Sequence, residues 1–319
     1  MARTTWALLF VTGAALGEAG GVDEKDVVAA ALRHRSQVVE RYWGVFASRY
    51  YPGDAETASA KAPAWLRLIG CWANQDGWRE DVWQAIPPRH PTCPFGPQDR
   101  QVTTSDGVVA RRWQVGSTNG AVLPNRPSCF VSDEVDLGPW GGAMRWSAGL
   151  LRDGFTLVGQ ERLGDTECRL VETKRAGQGW RVWLAPAFGW APVQAVSTEV
   201  TPSMVAAGLR SSRWQVYWED FREVSPGVWW PHRIRDLPRS GVGLQPDKWV
   251  RLLVFETLAV TVNGDDRSLP FQCPALVGIS VTDPRQPGGD AASRATEKLV
   301  DTFPEQPAPW MLTDSWRRR

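Results

Sequence analysis

The sequence contains only three histidines and lacks the common catalytic and nucleotide-binding motifs. It has no HExxH, GxSxG, GxGxxG, GxxxxGKS or GxxxxGKT pattern, which excludes the recognisable zinc-hydrolase, serine-hydrolase, dinucleotide-binding and P-loop classes. The five cysteines include no CxxC pair, and no two histidines have the spacing of a metal site. We therefore expect no catalytic residue, no metal and no cofactor.

A net charge of one sign and a long apolar run are also missing. The 36 basic and 35 acidic side chains give a formal net charge of +1, so no overall field favours nucleic acid. No segment approaches the about 18 uninterrupted apolar residues of a transmembrane helix. We expect neither a nucleic-acid partner nor a transmembrane segment.

The N-terminus has the pattern of an export signal. Met1-Ala2-Arg3 carries a positive charge, residues 6–16 form a largely apolar run, and Ala15-Leu16-Gly17 offers small residues for cleavage. We predict a signal peptide over residues 1–20 and export to the periplasm or cell envelope. The alternative is an unprocessed leader.

In contrast to these absences, the chain is rich in tryptophan, with 19 in all, and in alternating segments. Three pairs of alternating segments follow one another between residues 155 and 235, with glycine-containing breaks at 163–165, 186–189 and 225–227. Consecutive hairpins form an antiparallel sheet. Because large apolar side chains fall on both sides of several segments, we expect both faces to be covered.

Five tryptophans of these hairpins are candidates for lining a cavity. Tryptophan packs well in buried sheets and also binds apolar ligands. The sheet therefore has either two packed faces or a concave apolar face that holds an acyl chain or similar ligand beneath a helix. The candidate ligand-binding residues are Trp180, Trp183, Trp214, Trp218 and Trp230.

An amphipathic helix is predicted from Asp23 to Tyr50, as the cover of this sheet. Asp23 can cap its N-terminus, and Tyr51-Pro52-Gly53 ends it. Such a helix needs a partner for its apolar stripe, and the sheet is the obvious one. The predicted cover residues, spaced three or four apart for the most part, are Val28, Leu32, Val39, Trp43 and Phe46.

The remaining segments complete one domain over residues 21–282, followed by a tail rich in Pro, Gly and charge over 283–319. Ser105-Asp106-Gly107 predicts another hairpin, and residues 249–262 a long strand. Residues 65–72 could form either a helix or a strand. One disulfide among Cys71, Cys93 and Cys129 is expected, whereas Cys168 lies within a strand as a small buried residue; the pairing of Cys273 stays open.

Carboxylates offer an alternative reading as a carbohydrate-active hydrolase. Glu219 and Asp220 end a tryptophan-rich strand and could act as general acid and base. Adjacent strand residues point to opposite faces, so Glu161 or Glu172 would have to complete the pair from another strand. The ordinary alternative is a solvated carboxylate at a strand end.

The segments VGQERLGDTECRLVE, RVWLAPAFGWAPVQ and WQVYWEDFREVSPGVWWPHRI resemble the lipoprotein carrier-like proteins, the LolA-like group of outer-membrane lipoprotein sorting. The resemblance covers residues 155–235 well and the helix loosely. It implies a mainly β fold with α, an incompletely closed antiparallel β-barrel covered by the N-terminal helix.

The same resemblance implies a non-enzymatic, cofactor-free envelope protein that binds a lipid or a lipoprotein acyl chain. Two alternatives stay open beside it. One is an envelope scaffold or protein-interaction module with a filled β core, and the other is the hydrolase described above.

Overall fold

A computed structural model describes residues 23–52, 63–73, 78–85, 100–105, 110–114, 119–123, 142–175, 178–197, 209–242, 248–249, 251–264 and 280–282. The predicted signal peptide, the tail over 283–319, Cys93, Cys129 and Cys273 lie outside these ranges. Within the described part, no helix is long and apolar enough to cross a membrane.

The described chain forms two helices and fifteen strands. The helices are α1 (Glu24–Val38) and α2 (Gly142–Asp153). The strands are β1 (Tyr42–Pro52), β2 (Trp65–Ala73), β3 (Trp78–Ala85), β4 (Arg100–Ser105), β5 (Ala110–Gln114), β6 (Asn119–Leu123), β7 (Thr156–Leu163), β8 (Thr166–Arg175), β9 (Gln178–Ala185), β10 (Ala191–Ser197), β11 (Leu209–Ser225), β12 (Val228–Val242), β13 (Lys248–Trp249), β14 (Arg251–Val262) and β15 (Ser280–Thr282).

All the strands belong to one sheet, in the order β15-β6-β5-β4-β3-β2-β1-β14-β12-β11-β10-β9-β8-β7, with β13 paired to β12. Strand β15 runs parallel to β6, and the other described pairs are antiparallel. Strands β7 and β15 end the order at opposite edges, so the sheet is not closed among the described strands. The predicted class, mainly β with α and an incompletely closed antiparallel barrel, is confirmed.

The hairpin predictions are confirmed as well. Strands β7 and β8 meet at residues 164–165, β9 and β10 are joined by a short 3-10 turn at Pro186–Phe188, and β11 and β12 meet at 226–227. Gly164 and Gly227 have positive φ angles of 58° and 75°, the conformation for which glycine is favoured. Strands β4 and β5 also pair, and residues 65–72 are a strand.

The predicted helix from Asp23 to Tyr50 is wrong in its second half. Asp23 does cap α1, since its side chain accepts a hydrogen bond from the Lys25 backbone N–H at 3.0 Å. The helix ends at Val38, and strand β1 follows within four residues. Of the predicted cover residues, only Val28 and Leu32 lie in the helix. Val39 lies in the link, while Trp43 and Phe46 lie in β1.

Residues 42–52 form strand β1 rather than a continuation of the helix because the strand pairs on both edges, with β2 and with β14. Its segment is rich in aromatic residues and contains Gly44, a poor helix former. Both faces of the strand are buried, with Val45 and Ala47 on one and Tyr42 and Phe46 on the other. The three- and four-residue spacing that predicted a helix arises from a strand that is apolar on two sides.

Asn263, at the end of β14, holds the link between α1 and β1. Its Oδ1 accepts the backbone N–H groups of Glu40 and Arg41 at 2.9 and 3.3 Å. Its Nδ2 donates to the Val38 carbonyl at 2.7 Å. These bonds satisfy backbone groups left open at the helix end and fix the point at which the chain enters the sheet.

Helix α2 was not predicted. It packs beside α1, and its Leu150 joins the same buried cluster as Val28 and Leu32. Two helices therefore cover one face of the sheet, where one was expected.

Candidate ligand site beneath the helices

One face of strands β8 to β12 packs against the two helices, and we call it the helix-covered face. From the helices and the segment after α2 come Val28, Leu32, Leu150 and Phe155. The sheet residues of this face are Val171, Trp180, Val182, Leu184, Ala195, Val216, Trp218 and Ile234, with Phe255 from β14. The whole set forms one buried apolar cluster.

The candidate tryptophans separate onto different parts of the sheet. Trp180 and Trp218 lie in the helix-covered face, with 5% and 2% of their surface exposed. Trp183 is 9% exposed but packs with Cys168 and Leu170 on the other side. Trp214 lies in β11, and its side chain is outside the described part of the structure.

Trp230 belongs to a second cluster, near the end of α1. It is 4% exposed and lies 5.5 Å from Tyr42 and 6.5 Å from Phe46, ring centre to ring centre. Val39 belongs to this cluster as well. Among the described residues, β12 and β14 pair only over Arg233–Asp236 and Leu253–Glu256. The second cluster lies beyond that short seam, with members from both strands.

The opposite side of the same strands, which we call the outer face, carries paired polar groups. The Trp183 indole N–H donates to Glu161 at 2.7 Å, and Arg181 pairs with Glu172 at 2.8 Å. Arg235 donates to Glu219, and its guanidinium lies 4.6 Å from the centre of the Tyr217 ring.

These hydrogen bonds and ion pairs give no support to the hydrolase hypothesis. Glu219 is bound by Arg235 on the outer face, while Glu161 and Glu172 have Trp183 and Arg181 as partners. Asp220 binds Arg222 at 2.6 Å, and this hydrogen bond lowers the pKa of its carboxyl. The described structure therefore gives each candidate carboxylate a neighbouring donor of its own.

Helix α1 is held over the sheet by polar contacts near both of its ends. At its start, Glu24 pairs with Arg169 of β8, and the Lys25 ammonium lies 5.8 Å from the centre of the Phe155 ring. Near its end, Arg35 donates to two backbone carbonyls, those of Phe188 at 3.4 Å and Trp229 at 3.1 Å. Between these ends, the contacts of Val28 and Leu32 are apolar.

Arg35 is a buried polar residue that was not among the predicted site residues. It is only 4% exposed, and its Nε atom has no hydrogen-bond partner among the described residues. Burial lowers the pKa of Arg35 to about 10. Its position was visible in the sequence: Arg35 lies seven residues after Val28 and three after Leu32, which places it on the apolar stripe of α1.

His232, which lies opposite Asp220 in the sheet, has a second buried nitrogen atom. It is half-buried, and its Nε2 atom is shielded from solvent without a partner in the described chain. Burial is the main cause that lowers its pKa, and Arg222 adds to the effect. Asp220 has a φ of 52°, an unusual conformation for a residue other than glycine.

The described cysteines, Cys71 and Cys168, are free thiols, so Cys71 is not part of the expected disulfide, whereas Cys93 and Cys129 lie outside the described residues. Cys71 is buried beside the Tyr42 hydroxyl at 3.3 Å, and Cys168 is buried as predicted. Burial raises the pKa of Cys168 to about 11. Within the described ranges, no group of three or more His, Cys, Asp or Glu side chains is placed to hold a metal ion.

The solved structures that are similar to this chain include the following three. A DUF1329 family protein from Desulfovibrio piger has a TM-score of 0.49 at 8% identity, with 79% of this chain and 98% of that chain covered. A LolA superfamily protein from Nitrosomonas europaea has a TM-score of 0.45 at 13% identity, with coverage of 79% and 98%. An outer membrane lipoprotein-sorting protein domain from Vibrio parahaemolyticus has a TM-score of 0.43 at 13% identity, with coverage of 77% and 95%.

No protein-family model matches the sequence, and no curated protein matches it significantly. Proteins of the LolA-like group, which the sequence resembles, are thus among the similar structures.

Proposed function

We propose that this chain is an exported, non-enzymatic carrier-like protein that binds a lipid or a lipoprotein acyl chain against the helix-covered face. The observation that carries the proposal is the large apolar cluster between an unclosed sheet and two helices. Trp180 and Trp218 form its floor, and Val28 and Leu32 form part of its cover.

The way α1 is attached makes it a removable cover. Its polar contacts are concentrated near its two ends, at Glu24 and Arg35, while Val28 and Leu32 make non-directional apolar contacts. An acyl chain can replace those apolar contacts without leaving a polar group unsatisfied. A ligand therefore takes the place of the α1 side chains on the sheet.

Two of the candidate residues have different roles in this proposal. Trp183 lies on the outer face and is not part of the lining. Trp230 lies in the second cluster, beside the end of α1, and extends the apolar surface toward Tyr42 and Phe46.

Native mass spectrometry of protein purified from the envelope fraction of its source organism tests the proposal. We expect a stoichiometric mass excess and, after extraction, an acylated species. The stripped protein should take up a fluorescent fatty acid, and Leu32→Ala should weaken that uptake more than Leu163→Ala, which alters the outer cluster. A bare mass with no uptake would overturn the proposal and leave the interaction module with a filled core.

A further inference from the structure

Arg35 is a buried cation whose described hydrogen bonds are all to neutral groups. Its two hydrogen bonds go to backbone carbonyls, and no described carboxylate pairs with it. A charge removed from water is costly unless an opposite charge or a full set of hydrogen bonds accompanies it. The shift of the Arg35 pKa to about 10 reflects that burial cost.

Among the described residues, one donor of the guanidinium also has no acceptor. The guanidinium carries five N–H bonds, and the two carbonyls accept one from each terminal nitrogen. The Nε–H is shielded from solvent and has no acceptor in the described chain. Nε–H and a terminal N–H form the fork that binds a carboxylate or a phosphate with two parallel hydrogen bonds.

Apolar groups flank this donor set. Phe188 stacks on Phe221 at 4.7 Å and lies 5.4 Å from Trp229, ring centre to ring centre. Arg35 reaches the backbone of Phe188 and Trp229 themselves, and it lies on the helix between Leu32 of the first cluster and Val39 of the second. A charged donor with apolar surfaces beside it is the arrangement that suits an amphiphile.

We propose that Arg35 binds the anionic headgroup, a carboxylate or phosphate, of an amphiphile whose chain lies on the helix-covered face. This inference rests on the proposed function and specifies the ligand class. Because the Nε atom is shielded in the structure, binding requires displacement of the groups that cover it. Both carbonyls that hold Arg35 come from the ends of hairpins, at 186–189 and just after 226–227.

Competition against a fluorescent fatty acid separates this inference from the proposed function. The competitors are dodecanoic acid, dodecyl phosphate, dodecanol, acetate and inorganic phosphate, at mildly alkaline pH where the carboxyl groups are ionised. We expect the two anionic amphiphiles to compete roughly tenfold or more better than dodecanol, because charged hydrogen bonds are stronger than neutral ones. Acetate and inorganic phosphate, which lack the chain, should not compete.

Each result with the wild-type protein decides one point. If no amphiphile competes and the probe does not bind, the proposed function itself fails. If dodecanol competes as well as dodecanoic acid, the apolar site stands and the headgroup site at Arg35 is overturned. Competition by acetate or phosphate alone would also contradict a lipid headgroup as the source of the anion.

Variants then assign the preference to Arg35. Arg35→Gln should lose the preference for acid over alcohol while still binding dodecanol, whereas Arg35→Lys should keep part of it. Arg33→Gln, an exposed change on the same helix that removes the same charge, should behave as wild type. Thermal unfolding checks that each variant folds. If Arg35→Gln keeps the full preference, the inference is wrong; if it does not fold, Arg35→Lys and the wild-type comparison decide.

Discussion

The two faces of strands β8 to β12 are built from the same backbone yet are stabilised in different ways. The helix-covered face is one continuous apolar cluster that contains Trp180 and Trp218. The outer face combines a smaller apolar group around Trp183 with ion pairs such as Arg235 and Glu219, whose side chains are about a third exposed.

The two faces therefore contribute to the fold in different ways. Burial of apolar surface provides most of the stability of a fold, and on the helix-covered face it is concentrated between the sheet and the two helices. The outer face satisfies its polar groups laterally, within the sheet, and needs no cover for them. Under the proposed function, we therefore expect a ligand to bind the first face rather than the second.

The largest expected effect is on the floor of the helix-covered face. Trp218→Ala should lower the free energy of unfolding by about 3–5 kcal/mol, because the surrounding helices and strands cannot close the cavity fully. Trp183→Ala should cost less, about 2 kcal/mol, because several of its outer neighbours are half-buried and can adjust. Urea unfolding of both variants measures the difference. Equal losses would show that the two faces contribute alike.

The cover should contribute less than the floor but still clearly. Leu32→Ala should lower the free energy of unfolding by about 2–4 kcal/mol, because Leu32 is completely buried against the sheet. Its neighbour Arg33 is exposed, so Arg33→Ala is the matched control and should change stability by at most about 0.5 kcal/mol. Thermal unfolding compares the two. A small effect of Leu32→Ala would mean that α1 adds little to the fold.

On the outer face, the ion pair between Arg235 and Glu219 should matter much less. A double-mutant cycle with Arg235→Gln and Glu219→Gln should give a coupling energy of about 0.2–1 kcal/mol, since solvent screens a pair this exposed. The coupling should weaken with added salt. A larger, salt-independent coupling would contradict the solvent-screened outer face.

The mildest effect should be a pH dependence from His232. Its pKa is lowered in the folded protein, so the unfolded chain binds the proton first as the pH falls. The free energy of unfolding should therefore be highest above the ordinary histidine pKa of 6.5 and decrease as the pH falls from there toward the folded pKa. His232→Gln should remove this component, whereas His34→Gln, on an exposed position, should not. Chemical unfolding at a series of pH values decides between them.

The hairpins were predictable because their determinants are local. Gly164 and Gly227 mark turns by residue type alone, and the alternation of Trp180, Val182 and Leu184 indicates one face of a strand. The hairpin sheet followed from such signals. Alternation along β9 places Trp180 and Trp183 on opposite faces, but it does not tell which face lies under the helices.

The wrong and missing predictions have their causes in the tertiary structure. Strand β1 carries apolar residues on both faces because it pairs on two edges, and a two-faced strand has no periodicity to distinguish it from a helix. Arg35 was not among the predicted site residues, although its spacing from Leu32 places it on the buried stripe. Its partners are carbonyls 153 and 194 residues away, which no local pattern reveals.

The most direct test of ligand binding on the helix-covered face is quenching of tryptophan fluorescence by a brominated fatty acid, because bromine quenches only rings close to the bound chain. We predict quenching of the wild-type protein that is retained in Trp183→Phe and strongly reduced when Trp180 and Trp218 are both changed to Phe. No quenching, or the same loss in both variants, would contradict a ligand bound on the helix-covered face.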